Sequence, residues 1–107
     1  MTIVYDDVVK AKNTQGEVIR RTSLVYSETF SKMIGSEVYL KNEFEQKTGS
    51  FKIRGAYYKI KSLTDDEKQH GVVAASAGNH SQGVAYASYL ENISCTIVMP
   101  KNASPAK

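Results

Sequence analysis

Apolar residues recur along this chain with two different periods, and each predicts a kind of element. Ile53, Ala56, Tyr57, Ile60 and Leu63 stand three and four apart. That spacing predicts an amphipathic helix starting near Phe51. Thr64-Asp65-Asp66-Glu67 follows at once. It is a capping box, in which the threonine and the glutamate three residues later satisfy each other's free backbone donors, and it predicts a short helix ending before Gly71. Val72-Val73-Ala74-Ala75 is brief and wholly apolar, the pattern of a strand buried on both faces. A turn at Ser76–Asn79 then leads into a helix carrying Val84, Ala87, Ser88 and Glu91. Ile93 to Met99 is the next buried strand. Strand, helix and strand in that order predict a right-handed crossover and a parallel sheet with flanking helices, an α/β fold.

The amino-terminal half is less regular. Asp6 is read as the N-cap of a first helix of about seven to ten residues, running toward Asn13 and Gln15-Gly16. Its few apolar positions, Val8, Val9 and Ala11, predict a surface helix. Ser27 opens a second helix over Glu28 to Ile34, and Gly35 stops it. Glu37-Val38-Tyr39-Leu40-Lys41 alternates as a strand does, whereas Asn42 to Gly49 is polar and irregular. At the other end Pro100 closes a strand. Ser104-Pro105-Ala106-Lys107 reads as an N-cap, a first-position proline and a helix start, so the chain is expected to be the first part of a longer one.

Composition narrows the function classes. The chain has 107 residues, 41% hydrophobic and 23% charged, a globular balance sufficient for one small core. The net charge of +3 is spread out, and Arg20–Arg21 is its densest basic point, so a nucleic-acid partner is not expected. Cys95 is the one cysteine, which excludes an intrachain disulfide and fits a reducing compartment. No apolar run approaches the roughly 20 residues that span a bilayer, and the start lacks the features of a signal peptide. A cytoplasmic protein without a membrane partner is expected.

Two segments carry chemistry. In Thr48-Gly49-Ser50-Phe51-Lys52-Ile53-Arg54-Gly55-Ala56 a glycine-containing turn delivers a lysine into the first turn of a helix. A free lysine amine, with a pKa of about 10.4, is an ammonium at neutral pH. The positive end of a helix and burial both favour the neutral amine that Schiff-base chemistry needs. Pattern alone leaves open whether Lys52 is such an amine or a solvent-facing lysine. In Ser76-Ala77-Gly78-Asn79-His80-Ser81-Gln82-Gly83 a buried strand turns into a helix at the carboxyl end of a parallel sheet, where such folds bind ligands. Free N–H groups at the helix start seat a carboxylate or phosphate. A plain turn with Asn79 as N-cap fits the same residues.

Taken together these residues resemble the serine/threonine dehydratases, pyridoxal-phosphate enzymes of fold type II (tryptophan synthase beta-like). Ser50-Phe51-Lys52-Ile53-Arg54-Gly55-Ala56 looks like their cofactor attachment site, and Ser76-Ala77-Gly78-Asn79-His80-Ser81-Gln82-Gly83-Val84-Ala85 like their substrate-binding turn. Ile97-Val98-Met99-Pro100 and Pro105-Ala106-Lys107 match in order as well, so the likeness spans nearly the whole chain. It implies that Lys52 forms the Schiff base with pyridoxal 5'-phosphate and later removes the substrate's α-proton. It implies that Phe51 packs on the cofactor ring and Asn79 hydrogen-bonds its 3-hydroxyl. The backbone of Ser76, Ala77, Gly78, Asn79 and His80 would hold the substrate carboxylate, with His80 a turn residue rather than a base. The implied reaction converts L-threonine to 2-oxobutanoate, or L-serine to pyruvate, with release of ammonia. The implied assembly is a homodimer or homotetramer, with biosynthetic use (isoleucine formation) or degradative use left open.

The chain departs from the family pattern in three places. Ser23 stands where proline is common. Gln46-Lys47-Thr48-Gly49 resembles the serine racemase branch, in which the equivalents of Lys47 and Thr48 help bind a regulatory nucleotide. Ala77 points the other way, since racemases carry a serine there as an acid–base group and an alanine moves no proton. In family terms residues 1–45 belong to the arm of the large domain, and 46–107 begin the small one. The cofactor's phosphate loop lies downstream in the family, so these residues alone are expected to be inactive.

Overall fold

The computed structural model describes residues 2–104. The first helix, α1, runs Tyr5–Gln15 and buries none of its residues, as its sparse apolar pattern implies. Its cap differs from the expectation. Val4, not Asp6, precedes the first turn, and the Asp7 carboxylate accepts the Val4 N–H at 3.0 Å. Asp7 thus fills the third helical position, where an acidic group reaches back to the cap.

Strand β1 (Leu24–Tyr26), helix α2 (Glu28–Ile34) and strand β2 (Tyr39–Lys41) form the next unit. The two strands pair antiparallel, with Tyr26 opposite Tyr39 and their rings edge-on at 5.5 Å. The pattern had not marked β1, and β2 is shorter than the alternation suggested. Helix α2 agrees in full. The Ser27 hydroxyl accepts the Phe30 N–H, and Gly35 closes the helix in the left-handed conformation at φ 70°. Inside it, buried Ser31 accepts the Val38 N–H at 2.9 Å and ties α2 to the chain entering β2.

The rest is α/β. Helix α3 (Lys52–Lys61), helix α4 (Asp65–His70), strand β3 (Val72–Ala75), helix α5 (Asn79–Leu90) and strand β4 (Cys95–Val98) follow in order. The strands β3 and β4 pair parallel, Val72 opposite Cys95 and Ala75 opposite Val98, with α5 as the crossover. Ile53, Ala56, Tyr57 and Ile60 of α3 and Val84 and Ala87 of α5 form the core with Ile93. Val72, Ala74, Cys95 and Ile97 pack on it from one face of the sheet. The alternate residues Val73 and Val98 are 74% and 54% exposed. Among the described residues the two strands are covered on one face, where burial on both was expected; none of these residues packs on the second face. A short apolar run looks the same in sequence whether one face is covered or two. The predicted helix start at Ser104–Lys107 falls mostly on residues 105–107, outside the described residues.

Candidate active site

The chain reaches Lys52 through a braced loop. Gln46 is 4% exposed, and its amide pairs with the backbone of Arg20 as a strand partner would. Its Oε1 accepts the Arg20 N–H and its Nε2 donates to the Arg20 carbonyl, both at 2.9 Å. Next to it the Glu45 carboxylate accepts both the N–H and the hydroxyl of Ser23. These bonds fix where the Lys47–Ser50 turn begins. Buried Ser50 ends the turn and accepts the Lys52 N–H at 3.4 Å, satisfying one of the free donors of the first turn of α3.

A second brace holds that turn from the other side. The Arg54 guanidinium donates to both carboxylate oxygens of Glu43, at 2.9 and 2.7 Å, and the Thr22 hydroxyl adds a third bond at 2.7 Å. The hydrogen bonds from Arg54, reinforced by the one from Thr22, outweigh partial burial and pull the Glu43 carboxyl down to about 2. From α1, Gln15 Nε2 donates to the Arg54 carbonyl at 2.7 Å. Neither Glu43 nor Gln46 had been singled out as a brace from the sequence, because their partners lie far along the chain.

Lys52 is the first residue of α3 and its side chain is exposed. The helix start is as expected, but the described residues do not bury the amine. Among them Nζ has no hydrogen-bond or ion-pair partner. The lysine lines a cavity of about 380 Å³ with Phe51, Arg54, Gly55, Ala56 and His80. Phe51 leaves 60% of its surface open there. His80, exposed as well, belongs to the second segment.

That segment leaves β3 with the Ser76 N–H donating to the Val98 carbonyl at 3.0 Å. The Ser76 hydroxyl accepts the Gly78 N–H at 3.2 Å, and the Ser81 hydroxyl donates to the Gly78 carbonyl at 2.6 Å. Gly78, not Asn79, is the N-cap of α5. Having no side chain, it leaves the backbone donors of the first turn uncapped. Among the described residues no group accepts the N–H of Asn79, His80 or Ser81, and the exposed Asn79 side chain makes no hydrogen bond. Uncapped donors at the positive end of a 12-residue helix suit a bound anion.

Gly83 joins the two segments. A Cβ on it would stand 3.3 Å from the Ile53 nitrogen and the Lys52 carbonyl carbon. The absence of a side chain lets α5 lie against the peptide that carries the lysine without a shift of a few tenths of an ångström. Gly83 was part of the recognised motif, but the pattern gave it no role. Of the remaining expected residues, Lys47 is exposed and the Thr48 hydroxyl is buried without a partner. No group of three His, Cys, Asp or Glu side chains among the described residues could hold a metal ion.

Residues 16–107 match the family described as pyridoxal-phosphate dependent enzyme. The chain is 53% identical over 105 residues to the L-threonine ammonia-lyase of Thermotoga maritima, covering 98% of this chain and 26% of that protein. It is 46% identical over 107 residues to the catabolic L-threonine dehydratase TdcB of Escherichia coli K12, covering all of this chain and 32% of the relative. Among solved structures, the serine racemase of Dictyostelium discoideum superposes with a TM-score of 0.90 at 38% identity, over 99% of this chain and 35% of that one. The processed threonine deaminase isoform 2 of Solanum lycopersicum gives 0.77 at 34% identity, over 97% and 32%. The chain thus spans about a quarter to a third of the length of the curated relatives it matches.

Proposed function

The chain belongs to the pyridoxal-phosphate-dependent enzyme family, and on that premise we propose that the full-length protein dehydrates and deaminates L-threonine, and L-serine, releasing ammonia and a 2-oxo acid. The observation that carries this reading is the meeting of the Lys52 turn with the uncapped start of α5 across Gly83. It puts an amine and an anion seat on neighbouring helix starts, as an enzyme acting on the α-carbon of an amino acid needs. The threonine ammonia-lyase and dehydratase names of the relatives supply the substrate.

The residues present fit the cofactor. Lys52 offers an unpaired amine, and Phe51 an uncovered aromatic face beside it. Asn79 offers an unused amide at the start of α5. When bound, pyridoxal phosphate supplies an electron sink for the bond pair left on the α-carbon. The chain's own residues do the rest. With the cofactor in place, Lys52 Nζ would be the amine that holds it and the base that takes the α-proton. Phe51 packs on the ring and Asn79 donates to its 3-hydroxyl. The free N–H groups of Asn79 and His80 would hold the substrate carboxylate and orient the α-carbon toward Lys52, whereas the Ser76 and Gly78 N–H groups, expected to share in this, are spent on Val98 and on the Ser76 hydroxyl. The Glu43–Arg54 brace keeps the first turn of α3 in place.

We place the boundary between the large-domain arm and the small domain near residue 46, Lys47 and Thr48 at a nucleotide contact, and the protein in the cytoplasm as a homodimer or homotetramer. Among the described residues no helix is long and apolar enough to cross a membrane. Ala77 sets the reading apart from a racemase, because its methyl group cannot transfer a proton at the second face of the substrate. Incubating the full-length protein with L-threonine and L-serine tests the proposal. Oxo acid and ammonia should form in equal amounts. Lys52→Ala should abolish both, together with the visible absorbance of lysine-bound cofactor. D-serine formed without oxo acid would sink it.

A further inference from the structure

A second cavity, of about 470 Å³, lies where α1, the segment after it, β2 and the start of α3 meet, and shares Arg54 with the first. Lys12 and Gln15 of α1, Arg20 and Arg21 of the following segment, Lys41 of β2 and Arg54 of α3 line it. Five of these six side chains are cationic. Arg54 is neutralised by Glu43. Among the described residues none of Lys12, Arg20, Arg21 and Lys41 has a carboxylate within 4.0 Å. The nearby Glu45 carboxylate is occupied by Ser23 and acts on Arg20 only through the field. Lys41 and Arg20 spend one donor each on carbonyls, those of Thr22 and Glu45, and neither bond cancels charge.

Like charges gathered round one cavity repel, and the repulsion is relieved by an anion between them. Guanidinium forks from two successive arginines match the oxygens of a phosphate or polycarboxylate better than those of a monovalent ion. We infer that this cavity is a binding site for a small, multiply charged oxyanion, next to the lysine cavity, with which it shares Arg54, but not lined by Lys52. The bound anion would tie α1 to β2 and α3, adding to the Gln15–Arg54 bond already there. The site does not depend on the reaction proposed above, and neither Lys47 nor Thr48 lines it.

Inorganic phosphate is the probe, added to the full-length holoenzyme so that the cofactor already fills its own phosphate seat. The melting temperature should rise by a few degrees with rising phosphate and saturate. Chloride at matched ionic strength should not reproduce the rise. Lys12→Gln with Arg21→Gln, both exposed, should remove most of the phosphate increment whatever the variant's own starting stability. An equal response to chloride, no response at all, or a full increment in the double variant would overturn the inference. So would a response lost on Lys47→Gln but kept in the double variant, which would move the anion to the Lys47–Thr48 turn.

Discussion

Arg54 and Glu43 face each other across eleven residues of chain and share two hydrogen bonds, Nε to Oε2 and Nη2 to Oε1, with Lys52 on the same helical turn as the arginine. The planar fork meets the planar carboxylate in the one arrangement that uses two donors and two acceptors together. The pair therefore fixes an angle as well as a distance. Its consequence is a stated orientation for the first turn of α3, and with it for the lysine.

The same pair makes stability depend on acid. Glu43 binds its proton near 4.5 when free of its partners and near 2 when folded. A lowered folded value means that the stabilisation is complete above pH 4.5 and is lost as the pH falls from there toward 2. Allowing for solvent screening at the partly exposed guanidinium, the loss is on the order of 1–2 kcal/mol. Melting the full-length protein between pH 5 and 2.5 should show a decline that is smaller by about 1 kcal/mol in Glu43→Gln, with Glu91 and the other lowered carboxylates supplying the remainder. A variant as acid-sensitive as the parent would contradict this origin.

The helices with local signals were legible in the sequence, and the contacts between distant residues were not. Ser27 with Gly35, and Thr64 with Glu67, announce α2 and α4 because caps are made by residues within one turn. The 53–56–57–60 spacing announces the buried face of α3 for the same reason. Strand β1 is three residues long and has no room to display a period. Which face of β3 the described residues cover was not legible, because Val73 on the open face is as apolar as Val72 on the covered one. At the site, Lys52 and the Ser76–His80 turn were found through their resemblance to a family. The Gln46–Arg20 pairing joins residues 26 apart, and no spacing rule covers it. The Gly83 contact is hidden differently, since its signal is an absent side chain.

Thr64 offers a test of a purely local stabilisation. Its hydroxyl accepts the Glu67 N–H at 3.2 Å and its N–H donates to Glu67 Oε2 at 2.8 Å. Thr64→Ala removes the first bond and leaves the second. A loss of about 1 kcal/mol is expected in denaturant melts, with no change in KM for threonine, because α4 lies outside the site. A change in KM would show that α4 is coupled to the lysine turn.

Gly83 should be far less tolerant. Adding a methyl there sets it 3.3 Å from the backbone at Lys52 and Ile53, so α5 must move by a few tenths of an ångström. Gly83→Val adds bulk that such a shift does not absorb. Overpacking of this kind costs about 1–3 kcal/mol. The catalytic effect should be larger, because displacing α5 separates the carboxylate seat from the lysine. A fall in kcat of roughly 10–100-fold is expected for Gly83→Val and a smaller one for Gly83→Ala. The absorbance of the lysine-bound cofactor should shift in step. Lowered stability with unchanged kcat and spectrum would make Gly83 a packing residue only.

On the proposed reading, Ala77 sets which faces of the substrate can receive a proton. It sits half-buried in the turn between β3 and α5, one residue before the cap, and brings no proton donor. Ala77→Ser adds a hydroxyl there without adding a branch, and the turn already accommodates the serine at position 76. A hydroxyl can deliver a proton to the face opposite Lys52, which the alanine at this position cannot. The variant should therefore form D-serine from L-serine above the parent's level while still releasing pyruvate, as measured by chiral chromatography and an oxo-acid assay on the same sample. If D-serine stays at the parent's level in an enzyme that keeps its pyruvate activity, the residue at position 77 is not what separates dehydration from racemisation.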